Sequence, residues 1–399
     1  MQGGYTEFFS WGNDDTGQLG HGVDQHKGVR TLNLPKSLSF EVLIAAVACG
    51  AQHSSFITTE GHIFSFGSNS DGQLGIDDRN LNKSTAPLLV SSLLQQGQLA
   101  KKLSCGSHHT VVLMESGSVY TWGRNTQGQC GQNPNAAPCF FGPQRLNFEA
   151  SHPVSQIECG DLTTALITKA GQLYTFGDNS QGQLGLGNGV FRSQLMVDKP
   201  TRVQDIFDEV VQVSCGYRHT LALTVKGALY GFGSNRRHEM GLGEAPVANE
   251  NNFFAPLKLD QLEIHNIVHC AAGGFSAAIT DMKQLIVWGT GQFGVFSTPQ
   301  KVCMDGIYFT DIQISKQESS FAAAVDRRGA IYAWGPNFDG QLGHGDFNTR
   351  TLPTQIARLK RKQIRAAALG DRFAIAIGKD VSMADLMRRK AAKAKKQQE

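Results

Sequence analysis

The sequence lacks any long apolar stretch. None of its 399 residues lies in a run of 18 apolar residues, and the first segment, MQGGYTEFFSWG, has no basic part followed by an apolar part. A membrane-spanning helix needs about 20 apolar residues, and a secretory leader needs a basic and then an apolar region. We therefore expect an intracellular, cytoplasmic protein without membrane contact, with ciliary, cytoskeletal and nuclear locations left open.

The sequence also has little excess charge of either sign, since its formal net charge is only +3. The surface as a whole is therefore too weakly charged to attract nucleic acid, and an acidic partner must meet a local patch. Cysteine is modest at eight residues, and Cys49, Cys105, Cys159 and Cys215 each precede a glycine at one repeated position. We interpret these four as small buried residues in a reducing compartment, and we expect neither a metal nor another cofactor.

Glycine is abundant, with 45 residues, and much of it belongs to a repeated segment. Seven copies contain an aromatic residue followed by glycine, and most then reach Gly-Gln-Leu-Gly or a close variant, as in YTFGDNSQGQLG. The glycines of these pairs are Gly12, Gly67, Gly123, Gly177, Gly233, Gly289 and Gly335. Their spacings are 55, 56, 54, 56, 56 and 46 residues, so a unit of about 55 residues recurs with one shortened copy.

Each unit predicts four strands. Upstream of most pairs, two apolar runs flank a Gly-containing turn, which is typical of a β-hairpin. Downstream comes a proline, which cannot donate to a strand ladder and so predicts the start of an edge strand. These prolines are Pro35, Pro87, Pro143, Pro200, Pro256, Pro299 and Pro353. Seven four-stranded sheets in tandem indicate an all-β, seven-bladed β-propeller.

The two ends of the repeat predict how the ring closes. The first copy lacks its upstream half, whereas the segment Ile364 to Gly378 is an upstream half without a partner. Together they make one blade, which leaves no long unpaired edge. We therefore predict a propeller over 1–378 and a short, basic, helical C-terminal tail over 379–399.

Segments such as SCGYRHTLALTVKGALYGFGSN resemble the regulator-of-chromosome-condensation repeat, over roughly residues 5 to 378. The resemblance implies a protein-binding propeller, and it also implies an alternative, because the founding member is a guanine-nucleotide exchange factor for the Ran GTPase. In that factor an important aspartate precedes the turn histidine of one blade. The matching positions here are Gln52, His108, Leu162, Arg218, Gly274, Ser320 and Arg372. None is acidic, so we favour a non-catalytic scaffold over an exchange factor.

Three motifs have structural interpretations that we prefer to functional ones. GTGQFG at 289–294 matches a dinucleotide-binding pattern, but Pro299 follows too soon for the required helix. His53, His109 and His219 occur one per unit, and we expect each to fix its turn by hydrogen bonds. The aromatic residues before the paired glycines are interpreted as packing between blades. No catalytic spacing was found, so we expect no enzyme and no small-molecule substrate.

Two segments are predicted to bind partners. The tail carries Arg388, Arg389, Lys390, Lys393, Lys395 and Lys396, which would meet an acidic surface on a protein or a nucleic acid. In the sixth unit only ten residues separate Gly289 from Pro299, so we expect a notch flanked by Gln292, Phe293, Phe296 and the loop of residues 316–319. We expect partners within a larger protein assembly, with a cytoskeletal protein or a small GTPase as candidates.

Overall fold

The computed structural model describes residues 7–22, 31–149, 151–189, 192–243, 251–262 and 266–380. Within them, 28 strands form seven four-stranded antiparallel sheets, so the predicted propeller is confirmed. Blades are numbered along the chain from the one that contains the first strand. No helix in the described ranges is long and apolar enough to cross a membrane.

The strands of blade 1 are β1 (Glu7–Asn13), β2 (Thr31–Leu38), β27 (Lys362–Leu369) and β28 (Phe373–Asp380). Those of blades 2 and 3 are β3 (Ile44–Cys49), β4 (His53–Thr58), β5 (Ile63–Ser68), β6 (Lys83–Leu89), β7 (Ala100–Cys105), β8 (His109–Met114), β9 (Val119–Arg124) and β10 (Cys139–Arg145). Those of blades 4 and 5 are β11 (Val154–Cys159), β12 (Thr163–Thr168), β13 (Leu173–Asp178), β14 (Met196–Arg202), β15 (Val210–Cys215), β16 (His219–Thr224), β17 (Leu229–Ser234) and β18 (Asn252–Lys258). Those of blades 6 and 7 are β19 (Ile267–Ala272), β20 (Ser276–Thr280), β21 (Leu285–Gly291), β22 (Gly294–Val302), β23 (Phe309–Ile314), β24 (Ala322–Asp326), β25 (Ile331–Gly335) and β26 (Arg350–Gln355).

Among the described residues, the helical segments are connections on the rim of the ring. A short helix, α1 (Ser91–Gln95), links blades 2 and 3. Single 3-10 turns at Asp260–Leu262 and Ala357–Leu359 make the corresponding links after blades 5 and 7.

The ring closes as the repeat predicts. Blade 1 has the order β2-β1-β28-β27, and the closing pair runs from Glu7 opposite Gly378 to Gly12 opposite Phe373. Pairing of the two chain ends removes the open edge that a linear array would expose. The tail predicted to be helical over 379–399 begins two residues later, because strand β28 continues to Asp380. Its remaining residues, 381–399, lie outside the described part of the chain.

The repeated prolines lie inside the outer strands, so the expectation that they open those strands was wrong. Pro35 is the fifth residue of β2, at the point where the register with β1 shifts between Ser10 and Gly12. A bulge leaves a residue unpaired, so a residue without an N–H costs no ladder bond there.

Apolar clusters fill the spaces between blades. The largest side chains that are almost fully buried include Trp11, Trp122, Trp288 and Trp334, which confirms that the aromatic stripe packs between blades. The following glycine is required by the backbone, since Gly12 has φ +102° and a Cβ there would lie 2.4 Å from the Arg372 carbonyl oxygen.

Candidate partner-binding surfaces

Each blade places two turns on the same face of the ring, which we call the loop face. One turn joins the first and second strands, such as β3 and β4, and the other follows the third strand. In most blades this second turn contains Gly-Gln-Leu-Gly or a variant of it, whereas in blade 6 it is the short turn between β21 and β22. The first strands, β27, β3, β7, β11, β15, β19 and β23, are neighbours around the axis of the ring. The loop face therefore surrounds the mouth of an axial channel.

The turn histidines connect neighbouring blades. His53 Nε2 lies 3.0 Å from Thr110 Oγ1 of the next blade, and that hydroxyl donates to the Gln73 carbonyl oxygen at 3.0 Å. The same bridges are His109–Thr164–Gln129 and His219–Ser276–Glu239. The prediction that each histidine fixes its own turn therefore needs correction, because the bond runs to the next blade.

The bridge determines the protonation of the ring. A carbonyl can only accept, so the Thr110 hydroxyl donates to Gln73 and must accept from His53 Nε2–H. Burial lowers the pKa of His53, His109 and His219 to about 3, so all three are neutral at pH 7. They act as buried hydrogen-bond donors between blades.

Blades 6 and 7 have no such bridge. Phe275 and Phe321 replace the histidines, and the residues opposite them on the next blades, Ala322 and Ala374, lack hydroxyl groups. All four are buried. The donor and its acceptor are thus absent together, and apolar packing takes their place.

The first turn of blade 7 is longer than its equivalents. Seven residues lie between the paired Ile314 and Ala322, compared with four between Cys105 and Thr110 in blade 3. We call residues 315–320 the axial loop. Its Lys316 Nζ crosses the axis to donate to the carbonyl oxygens of Cys105, at 3.0 Å, and of Cys159.

An ion pair stabilises the side chain of Lys316 in this position. The Lys316 ammonium lies 3.4 Å from Glu158 Oε1. Burial alone would lower the pKa of Lys316, but the Glu158 carboxylate and the nearby Cys159, Cys215 and Cys105 together outweigh it, and the pKa is raised. The Gln317 side-chain amide donates to the Asp371 carbonyl oxygen, so the loop is bound to both sides of the channel.

An acidic pair lies beside the axial loop. Burial, followed by the charge of Asp161, raises the pKa of the Asp371 carboxyl to about 6. Burial also raises the pKa of Asp161. Nearby, His108 and Arg124 hold Asp71, with Arg124 Nη2 at 2.9 Å. Although burial would raise the pKa of Asp71, these hydrogen bonds lower it well below its usual value.

A basic pocket of about 150 Å³ opens on the loop face between blades 5 and 6. We call it the arginine pocket, and its lining is Tyr217, Arg218, Ser234, Arg236, Arg237, Glu239, Gly273, Gly274 and Glu318. Arg218 and Arg236 are exposed, and the Arg218 guanidinium lies 4.8 Å from the centre of the Tyr217 ring. Two exposed cations and one aromatic side chain therefore face solvent at one place.

Arg237 joins three irregular blades. Its Nη1 lies 2.9 Å from Glu318 of the axial loop, and its Nη2 donates to the Thr290 carbonyl oxygen of blade 6 at 3.2 Å. The axial loop also contacts blade 6 directly, because Gly274 N–H donates to Ser320 Oγ at 2.6 Å.

The turn of blade 5 that carries Arg236 and Arg237 has the hydrogen bonding of the Gly-Gln-Leu-Gly turns, although its residues differ from that pattern. Glu239 replaces the repeat's glutamine and still accepts the Arg237 N–H, at 2.8 Å, as Gln73 does from Asp71. Burial raises the pKa of Glu239. His238 has φ 61° where the other regular turns have glycine, a conformation that costs about 1 kcal/mol or more outside glycine.

The two predicted notch phenylalanines pack together. Gln292 and Phe293 form a two-residue turn between β21 and β22, and no helix follows, so GTGQFG is part of a hairpin. Phe293 lies 4.9 Å from Phe275 and 5.1 Å from Phe296, between ring centres. Gln292 is exposed, whereas both phenylalanines are partly buried against the core between blades 6 and 7. Their role in partner binding stays a prediction.

The six predicted tail cations, Arg388 to Lys396, lie outside the described residues. The sequence predicted neither the arginine pocket nor the crossing of the axis by Lys316. A signal for the pocket was available, since RRHE interrupts the Gly-Gln-Leu-Gly pattern at 236–239. Lys316 gave no such signal, because its partners lie 157 and 211 residues away along the chain.

Seven four-stranded blades, closed through the two chain ends, define a seven-bladed β-propeller. The chain belongs to the RCC1-like domain family, which matches residues 7–380.

Similar proteins differ in how much of their length this chain matches. The ultraviolet-B receptor UVR8 of Arabidopsis thaliana is 30% identical over 364 residues, covering 88% of this chain and 77% of the receptor. A bifunctional serine/threonine-protein kinase/NEDD4-like E3 ubiquitin-protein ligase of Dictyostelium discoideum is 27% identical, and the match covers 84% of this chain but only 21% of that protein. The structure of Prp20p from Saccharomyces cerevisiae, described with its binding properties to Gsp1p and histones, has TM-score 0.83 at 21% identity and covers 98% and 95% of the two chains. This last likeness shows the shared fold.

Proposed function

We propose that the chain is a non-catalytic protein-interaction scaffold that docks a partner through the loop face at the arginine pocket. The observation that carries the proposal is the convergence of three irregular features. The arginine turn of blade 5, the shortened blade 6 and the axial loop of blade 7 meet at Arg237. Exposed arginine beside an aromatic ring is a common anchor in protein interfaces. The basic tail is proposed as a second contact, to an acidic surface.

The test is quantitative partner capture with the full chain. We expect Arg218→Glu with Arg236→Glu to reduce recovery of the bound partner by about tenfold or more, because each reversal replaces attraction with repulsion. Both side chains are exposed, so the melting temperature should stay within about 2 °C of wild type.

The matched control reverses two exposed cations on blade 4, Lys199→Glu with Arg202→Glu. It makes the same change in net charge on the outer strand β14. Equal loss of partner in both variants would show a general charge effect and contradict the proposed site.

Nucleotide exchange on a Ran-like GTPase is the alternative implied by the family. A GDP-release assay with purified Ran-type GTPase separates the two functions. The scaffold proposal predicts no acceleration above the intrinsic rate, and catalytic acceleration would replace it with the exchange-factor function.

A further inference from the structure

A second surface lies along the outer edge of blade 1, away from the axis of the ring. It is a groove between β2 and the link from blade 7 to blade 1, with a volume of about 880 Å³. Its floor is apolar and includes Phe9, Leu32, Leu34, Pro35 and Leu359. Leu34 is 43% exposed, so aliphatic surface is open to a ligand there.

One wall of this groove is basic. Arg358, Lys360 and Arg361 are exposed, and none of them pairs with a carboxylate in the part of the chain that the structure describes. The neighbouring Lys362 differs, because Glu7 and Asp380 hold it at 2.6 and 2.7 Å. The wall therefore carries positive charge that no described carboxylate neutralises.

This concentration is notable in a chain whose formal net charge is +3. Asp380, the last described residue, also lines the groove, so the basic tail begins at its edge. Six cations follow between Arg388 and Lys396. Charge repulsion makes that run a poor occupant of a basic groove, whereas an acidic ligand would be attracted to the groove.

We propose that this groove binds an acidic, amphipathic peptide segment of a protein partner. Its carboxylates would meet Arg358, Lys360 and Arg361, and its apolar side chains would lie on the floor beside Leu34. The inference rests on the proposed function, since it assigns a second protein-binding surface to the same scaffold. A nucleic acid is disfavoured, because its phosphates would use the cations but not an aliphatic floor.

The test measures fluorescence anisotropy of a labelled synthetic peptide of about twelve residues that interleaves glutamate with leucine. With the full chain, R358E/K360E/R361E should weaken binding by about tenfold or more, and added salt should weaken binding to wild type. Leu34→Ser should weaken binding about threefold or more through lost apolar contact. The control K169E/K199E/R202E makes the same charge change at exposed sites on blade 4 and should bind like wild type. Melting curves check that each variant is folded.

Three results would overturn the proposal. Equal weakening of peptide binding by the two charge variants would show a general charge effect and contradict binding in the groove. A peptide with serine in place of leucine, or a single-stranded DNA, that bound as tightly as the amphipathic peptide would indicate a general polyanion surface. Binding only after removal of 381–399 would show that the tail fills the groove. The arginine-pocket variant should bind this peptide normally, so failure of the groove and failure of the proposed docking site give different results.

Discussion

Blades 2 and 3 are joined to their neighbours by polar bridges, whereas blades 6 and 7 are joined by aromatic packing. In the first region His53 and His109 donate to threonine hydroxyls of the next blade. In the second, Phe275 and Phe321 face alanines, and the turns around them change length. The two regions share one sheet geometry, so the ring does not depend on one kind of contact between blades. The axial loop of blade 7, in the region without these bridges, reaches across the axis to blades 3 and 4.

The largest expected effect concerns blade 1, which closes the ring between the two regions. Ending the chain after Arg361 removes β27 and β28, half of the closing blade, and exposes edges on both sides of the gap. We expect loss of the cooperative thermal transition, measured by circular dichroism. Ending it after Asp380 should change the melting temperature by about 2 °C or less. A stable shorter chain would contradict the closure.

A polar bridge introduced into the aromatic region tests whether donor and acceptor depend on each other. Phe321→His buries a donor opposite Ala374, which has no hydroxyl, so we expect a loss of about 2–4 kcal/mol in the free energy of unfolding. Adding Ala374→Thr supplies an acceptor beside the Gln341 carbonyl oxygen and should recover about 1 kcal/mol. Chemical denaturation measures both values. If the second change gives no recovery, the bridge is not a transferable unit.

Acid should affect the bridged region selectively. The pKa of each bridging histidine is about 3 in the folded state and near 6.5 when unfolded, so the unfolded chain binds more protons between these values. Each histidine therefore leaves the free energy of unfolding unchanged above about pH 6.5. As the pH drops from there toward 3, each histidine lowers it by up to about 1.4 kcal/mol per pH unit. His109→Gln should reduce this slope, whereas Phe321→Leu should leave it unchanged. Denaturation curves at several pH values provide the measurement.

The smallest stability effect concerns the shortened blade. Phe293 and Phe296 stack on each other and contact the core beside Phe275. Replacing both with alanine should cost about 1–3 kcal/mol, since both are only partly buried. Exposed Gln292 provides the control, and Gln292→Glu should leave the melting temperature unchanged. If the double variant were as stable as wild type, the two phenylalanines would have no packing role, and partner binding would be the role left for them.

The regular part of the molecule was predictable because its signals are local. The aromatic-glycine pair, the hairpins and the unmatched half at Ile364 to Gly378 specify blade number and closure within short segments. The connections between blades were not predictable in the same way. His53 and Thr110 are 57 residues apart, and nothing near either residue identifies the other as its partner. The path of Lys316 across the axis depends on where seven blades converge, which no single segment encodes.

Hydrogen exchange on the full chain with its captured partner tests the central claim most directly. The account predicts that partner binding slows exchange in the first turns of blades 5 and 6, around 216–218 and 273–275, in the arginine turn at 234–241, and in the axial loop. The first turns of blades 2 and 3 should exchange as in the free protein. Protection confined to blades 2 to 4, with the axial loop and the arginine turn unchanged, would contradict docking at the irregular side of the loop face.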